Sequence, residues 1–407
     1  MKLKLLFIFS RIFFLAAIVI FQLTLAYKID IIEFAYTSFG FSVLSIAMIA
    51  YTFGFNQFLM YQFSRENTVT LDELFSKLFR VYLLNFFIMS LLIFTVLQFY
   101  SANYLQYGLI FTLVAFLLSL RDYLNVPYII QKKYHNISIS NFLISLPFYM
   151  ATIITLYFIE LVPLVYIFTL LIFLLGFIIA FYDLRKHFQK LNTKHIEQNI
   201  FYEYKSTFAF GISVFLFTIY YQLSNILLPI LEVEKVVATF GVVFIYLGII
   251  YILLNIVFNQ IILPNMYRVY KQDTLLYSNI LKRYKLIFTF SGIAISAFSL
   301  LISNFQDSLL FQPIMLKYPL FLDGISYISL GILARYIATV YSGNMNVIGQ
   351  VSLKIKVQVI VTILSFITTY WLISTYSFFG ACIAYSLTET LLLIGYLITG
   401  HYYVKKT

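Results

Sequence analysis

Four ionised side chains and one adjacent carboxylate stand in stretches that are otherwise almost wholly apolar. Glu389, in SLTETLLL, lies about 11 residues into a hydrophobic run at 377–400, which at ~1.5 Å per residue places it ~16 Å deep. Arg335, in GILARYIATVY, is similarly deep in a run at 320–346. Arg121 and Asp122, in SLRDYLNVP, belong to a run at 106–130, and Arg11 lies about one-third of the way into 5–26. A charge in hydrocarbon costs ~2.5–3.5 kcal/mol on insertion scales, so it persists where a partner or a watery cavity receives it.

These residue types suggest anion handling. A guanidinium stays charged and offers forked donors that suit phosphate oxygens, so a cavity lined by Arg335, Arg121 and Arg11 would take an anionic cargo. Arg335 is the natural partner of Glu389. Glu389 itself is either a buried structural carboxylate or one that titrates during transport and couples it to an ion, the role also open to Asp122. Arg121 and Arg11 are close enough to helix ends to snorkel to the interface instead. Adjacent helical residues point in different directions, so Arg121 and Asp122 are not expected to pair. Gln222, Asn225 and Tyr221, in FTIYYQLSN, are further candidates to face a cargo path.

Other chemistry lacks its residues. There is no Walker A phosphate loop and no H-E-x-x-H, and His135, His187, His195 and His401 fall outside the apolar runs. Cys382 is the single cysteine, which leaves no disulfide framework and no thiolate metal site. No cofactor, no metal and no enzymatic activity are expected.

The elements that must position these groups are membrane spans. Hydrophobic residues form 62% of the 407-residue chain and charged residues 11%, far from the balance of a soluble domain. At ~20 residues per spanning helix, twelve spans fit, near 5–26, 34–59, 79–100, 106–130, 138–159, 161–182, 206–231, 236–263, 284–304, 320–346, 353–374 and 377–400. With both termini cytoplasmic, all of the 27 Lys and Arg except Lys28, Lys235 and Lys317 fall on the inner side, as the positive-inside rule requires. The net charge of +11 is therefore explained by topology, and no nucleic acid is expected as a partner. The N-terminal run is too long for a signal-peptide core, is interrupted by Arg11, and has an internal copy at 205–222, so it is read as span 1.

That copy is part of a larger repeat. At an offset of 201 residues Lys4, Phe7, Phe14, Glu33, Phe39 and Gly40 meet Lys205, Phe208, Phe215, Glu234, Phe240 and Gly241. At 203, Phe55-Asn56-Gln57 meets Phe258-Asn259-Gln260, and Arg65 meets Arg268. Six spans per copy is even, so the copies share one orientation. The expected fold is an all-α integral membrane protein whose two six-helix bundles are related by a pseudo-two-fold along the membrane normal: lobe 1–182, basic cytoplasmic linker 183–205, lobe 206–407. Spans 4 and 10 correspond, which makes Arg121 and Arg335 approximate counterparts. The repeated Asn-Gln pairs are read as amides pinning spans 2 and 8.

The stretches IIEFAYTSFGFSVLSIAMIAYTFGFNQFLMYQFSR (31–65), FAFGISVFLFTIYYQLSNILLP (208–229), FNQIILPNMYRVY (258–270) and FFGACIAYSLTE (378–389) resemble the polysaccharide flippases of the multidrug/oligosaccharidyl-lipid/polysaccharide (MOP) exporter superfamily. The Wzx-type O-antigen flippases are the nearest branch. The resemblance covers the whole chain through degenerate motifs. It implies translocation of undecaprenyl-pyrophosphate-linked oligosaccharide, an O-antigen or capsule repeat unit, from the cytoplasmic to the periplasmic leaflet of the bacterial inner membrane by alternating access. It implies bilayer lipid, a polysaccharide polymerase and a chain-length regulator as partners. The family often has an acidic residue at the end of the YYQLSN pattern where this chain has Ser224, which shifts ion coupling toward Glu389 and Asp122.

Two alternatives remain open. A multidrug, organic-cation antiporter of the same superfamily would want an acidic cavity, yet seven acids (Asp30, Glu33, Glu160, Glu232, Glu234, Asp307, Asp323) sit at outer ends or loops. A membrane-embedded polysaccharide polymerase or ligase would need a large periplasmic loop, and the longest outer connection, about 305–319, is short.

Overall fold

The computed structural model describes residues 2–55, 71–130, 133–157, 200–255, 257–258, 262–305 and 312–404. Every regular element among them is helical: α1 (Lys2–Lys28), α2 (Ile31–Thr52), α3 (Leu71–Leu97), α4 (Ala102–Ile130), α5 (Tyr134–Tyr157), α6 (Ile200–Leu231), α7 (Glu234–Asn255), α8 (Leu263–Gln272), α9 (Thr274–Ser303), α10 (Gln312–Met315), α11 (Phe321–Val347) and α12 (Val351–Val404). Backbone amides and carbonyls in hydrocarbon have no water to bond, so apolar segments of this length close their bonds internally as helices. Among the described residues nine helices are long and apolar enough to cross a membrane, and Tyr82–Leu97 adds a shorter apolar stretch. The chain is a multi-pass, all-α membrane protein.

Eleven of the twelve expected spans fall on these helices; the one at 161–182 lies outside the described residues, as does most of the 183–205 linker. α12 carries the last two spans as one hydrogen-bonded run interrupted at Ser377, whose φ of 52° and ψ of −125° turn the chain out of the helix. Two expected boundaries move. The run at 34–59 stops as a helix at Thr52, where Phe53 adopts a left-handed φ of 31° and its N–H closes on the Ile49 carbonyl. In the run at 236–263 the α-helix is described to Asn255, residues 257–258 and 262 are π-helical, and Leu263–Gln272 forms α8 with Pro264 in its first turn. Proline suits that position because its missing N–H would be unpaired there anyway.

The chain divides into two compact units, Met1–Thr218 and Ile219–Thr407. Matching helices of the repeat are alike: α2 and α7 are each 22 residues long, with Glu33 and Glu234 in their first turns. Phe39 and Phe240, and Phe55 and Phe258, are buried in their own units. The repeated Asn-Gln pairs at 56–57 and 259–260 lie outside the described residues.

In unit 1, α1 packs on α5 and α2 on α4. The first contact is aromatic, with Phe13 against Phe142 and Tyr149, and Phe14 and Phe21 against Phe148. α3 is tied to its neighbours by polar atoms: Tyr82 Oη meets Ser119 Oγ at 2.8 Å, and Asn85 Nδ2 donates to the carbonyls of Ala50 and Tyr51. Those two carbonyls stand at the end of α2, where no further turn supplies their N–H partners.

In unit 2, α11 is the hub, packing on α7, α8, α9 and α12. It crosses α12 at small residues. A Cβ on Gly331 would lie 2.9 Å from the Ser386 Cα, so the backbones approach as only glycine permits. Gly331 N–H donates to Ser386 Oγ at 3.3 Å, and that hydroxyl donates to the Tyr327 carbonyl at 2.6 Å. Gly349, with φ of 78°, makes the turn from α11 into α12.

Candidate functional site

The close crossing in unit 2 sets the level at which charges meet. Arg335 is one turn beyond Gly331 on α11, and Glu389 is one turn beyond Ser386 on α12, so helix periodicity carries both to the same face of the contact. Arg335 Nη1 donates to Glu389 Oε1 at 3.1 Å and lies 3.3 Å from Oε2. The pair expected from depth alone is formed, and it is enclosed: Glu389 is 0% and Arg335 7% exposed.

Aromatic rings complete the enclosure. The Arg335 guanidinium lies 5.7 Å from the Tyr221 ring and 5.6 Å from the Tyr251 ring. Tyr251 and Tyr385 share a hydroxyl hydrogen bond of 2.5 Å. Ring faces attract a cation more strongly where water is excluded. Gln222 and Asn225 are also buried in this unit, and they satisfy each other: Asn225 Nδ2 donates to Gln222 Oε1 at 3.0 Å. Ser224 donates to the Ala381 carbonyl, fixing α6 to α12.

Unit 1 brings together Arg11, Arg121 and Asp122. Arg121 and Asp122 do pair, against the expectation from their adjacency. Arg121 Nε donates to Asp122 Oδ1 at 2.8 Å, and Nη2 donates to the same oxygen. The guanidinium stem is long enough to curl across the ~100° that separates neighbouring side chains on a helix. Both guanidiniums gather on one ring: Arg121 lies 4.8 Å and Arg11 5.7 Å from the centre of Phe14. Arg121 is enclosed by protein at 4% exposure, while Arg11 is half-buried. Arg121 Nη1 has no hydrogen-bond partner among the described residues.

Polar side chains also link α1, α4 and α5 in this unit. Asn141 Nδ2 donates to Ser10 Oγ at 3.3 Å, and Asn125 Nδ2 to Ser140 Oγ at 3.4 Å. The Asn141 carbonyl oxygen is buried without a partner. Buried polar groups left open in this way normally meet water or a ligand.

Lys354 did not stand out in the sequence, because a lysine close to a helix end reads as a loop charge. In the structure it is buried at 9% exposure, and its Nζ donates to Asn346 Oδ1 at 3.3 Å. The pattern that marks it is Lys354, Gln358, Ser365 and Thr369, all buried and spaced to share one face of α12. No group of three or more His, Cys, Asp or Glu suited to a metal ion occurs among the described residues.

The sequence finds no match among protein-family models or curated proteins. Solved structures do match over nearly the whole chain. A lipid II flippase, MurJ, in an inward closed conformation superposes with a TM-score of 0.73 at 13% identity, covering 98% of this chain and 87% of that one. An inward-facing multidrug resistance MATE family transporter of the MOP superfamily gives 0.71 at 12% identity, covering 96% and 94%. A Vibrio cholerae MATE transporter gives 0.63 at 9% identity, covering 100% and 96%. The chain has the MOP-type fold. At such identities the likeness is one of fold, and the cargo must be argued from the side chains.

Proposed function

We propose that the chain is a flippase that moves a polyprenyl-diphosphate-linked oligosaccharide, such as an O-antigen or capsule repeat unit, across the bacterial inner membrane by alternating access. Both termini would be cytoplasmic, and product would pass to a polysaccharide polymerase and chain-length regulator. The carrying observation is the balance of buried charge. The two carboxylates deep within described spans, Asp122 and Glu389, are each engaged by an arginine, and Arg11 in unit 1 and Lys354 in unit 2 are further embedded cations. At these deep positions among the described residues an organic cation would meet carboxylates already paired with arginine, whereas a diphosphate would find guanidinium donors, Arg121 Nη1 foremost. The lipid II flippase among the fold neighbours supports a lipid-linked cargo.

In this reading Arg121 and Arg11 of unit 1 and Arg335 of unit 2 are the substrate-binding cations, Tyr221, Gln222 and Asn225 are path residues of unit 2, and Glu389 and Asp122 act as exchangeable counter-ions. When phosphate oxygens take over a guanidinium, its carboxylate is left to bind a proton or another cation. That exchange ties cargo to an ion gradient without a nucleotide site.

The second reading, an organic-cation extruder, is favoured by the two MATE transporters of the same fold. Deletion of the gene separates the two. Accumulation of unpolymerised lipid-linked units on the cytoplasmic side, with loss of surface polysaccharide, supports the flippase. Normal polysaccharide with altered dye efflux supports the extruder. In the deletion strain, Arg121→Ala should fail to restore polysaccharide at normal protein level, and full complementation would remove Arg121 from the site.

A further inference from the structure

α8 and the start of α9 form a basic surface that the transport reading leaves unused. α8 has two faces. Met266 and Val269 are buried against α9 and α11, while Pro264, Arg268 and Lys271, four and three residues apart, are exposed along the opposite stripe. The α8–α9 corner is fixed in place: the Tyr270 and Tyr277 rings meet at 5.1 Å, and Tyr277 Oη donates to Asn344 Oδ1 at 2.6 Å.

Exposure along α9 locates this corner relative to the bilayer. Leu286, Ile287, Phe290 and Ile293 begin an exposed apolar face. From Leu286 to Ser303 the helix rises about 27 Å, close to the ~30 Å of a hydrocarbon core. Lys282 and Arg283, both exposed, therefore lie one turn outside the hydrocarbon, in the headgroup layer, and α8 lies on that same side. Asp273 is the one acid between 262 and 285, and its Oδ1 is occupied capping α9 through the N–H groups of Leu275 and Leu276. Arg268 is exposed and donates through Nη2 to Asn265, a partner on its own helix.

We propose that Arg268, Lys271, Lys282 and Arg283 form a collar that binds the phosphate headgroups of anionic phospholipids and so fixes α8 flat against the membrane surface. Four cations outweigh the single carboxylate of Asp273, the height matches the lipid phosphates, and α8 turns its apolar face to the protein and its basic face outward. This site is separate from the Arg121 and Arg335 clusters, so its fate does not depend on the cargo.

The test uses the full chain reconstituted in phosphatidylcholine, with a few per cent of spin-labelled phosphatidylglycerol or spin-labelled phosphatidylcholine as the probe of lipids held at the protein surface. The native protein should prefer phosphatidylglycerol by at least about fivefold at low salt, the effect of one surface cation, and lose most of that preference in high salt. The quadruple variant R268Q/K271Q/K282Q/R283Q should lose the preference, while K28Q/K235Q/K317Q, which neutralises the opposite ends of the spans, should keep it. Equal retention of both lipids by the native protein would overturn the proposal. So would a quadruple variant that remains monodisperse and still prefers phosphatidylglycerol.

Discussion

In unit 1 the carboxylate that faces Arg121 is its own neighbour on α4, while in unit 2 the carboxylate that faces Arg335 arrives from a second helix. The side chain of Asp122 is 26% exposed and that of Glu389 1%. The first pair is local and forms as soon as α4 does; the second requires α11 and α12 to be docked. The same ion-pair chemistry thus serves a helix in one unit and a helix crossing in the other. Because Arg121 bends toward a neighbour, one of its guanidinium nitrogens stays open, whereas Arg335 is closed in by Glu389 and tyrosine rings.

Removing the two carboxylates tests that contrast most severely. Glu389→Ala strands a buried guanidinium and should cost about 3–5 kcal/mol, read as a large drop in the thermal unfolding temperature of the purified protein. Asp122→Ala also leaves a buried guanidinium, but its carboxylate is partly solvated, and it should cost less than Glu389→Ala. Equal losses would erase the distinction. The double variant R335M/E389L should recover most of the stability while transport stays lost, since a buried pair contributes little beyond well-packed apolar groups.

The crossing itself gives the next effect. Gly331→Leu must push α11 away from Ser386 and should cost about 1–3 kcal/mol, with a matching loss of the Arg335–Glu389 contact. No such effect is expected on the Arg121–Asp122 pair, which α4 holds alone; thermal unfolding of the G331L/D122A combination should show simple additivity.

The ring contacts are the finest comparison. Phe14→Leu in unit 1 and Tyr221→Leu in unit 2 each remove a face from beside an arginine. A cation–π contact is worth about 0.5–1 kcal/mol when exposed and ~2 when desolvated, and Arg121 and Arg335 are both buried, so the two losses should be similar. A much smaller loss at one ring in unfolding measurements would show that water reaches its arginine.

Several of these features could be read before folding. Long apolar runs force helices wherever they lie, and the depth of Glu389 and Arg335 within theirs was enough to expect a pair. The Arg121–Asp122 contact was not legible, because helical wheel geometry places Cβ atoms and says nothing of how far a long side chain can curl. Lys354 looked like a loop charge until α11 and α12 covered it. The polar α8 begins where the expected span ended, at 263, in a stretch with no apolar run to mark it as a helix.

The sequence by itself determined the membrane environment, most helix positions, the doubled pattern and the identity of the rare charges, because each follows from local transfer free energies along one chain. Only tertiary structure decided which charge met which, which of them was closed in by rings, and which lysine was buried. Those outcomes depend on how closely two backbones approach, and that is fixed where a residue such as Gly331 meets Ser386, fifty-five positions away in the chain.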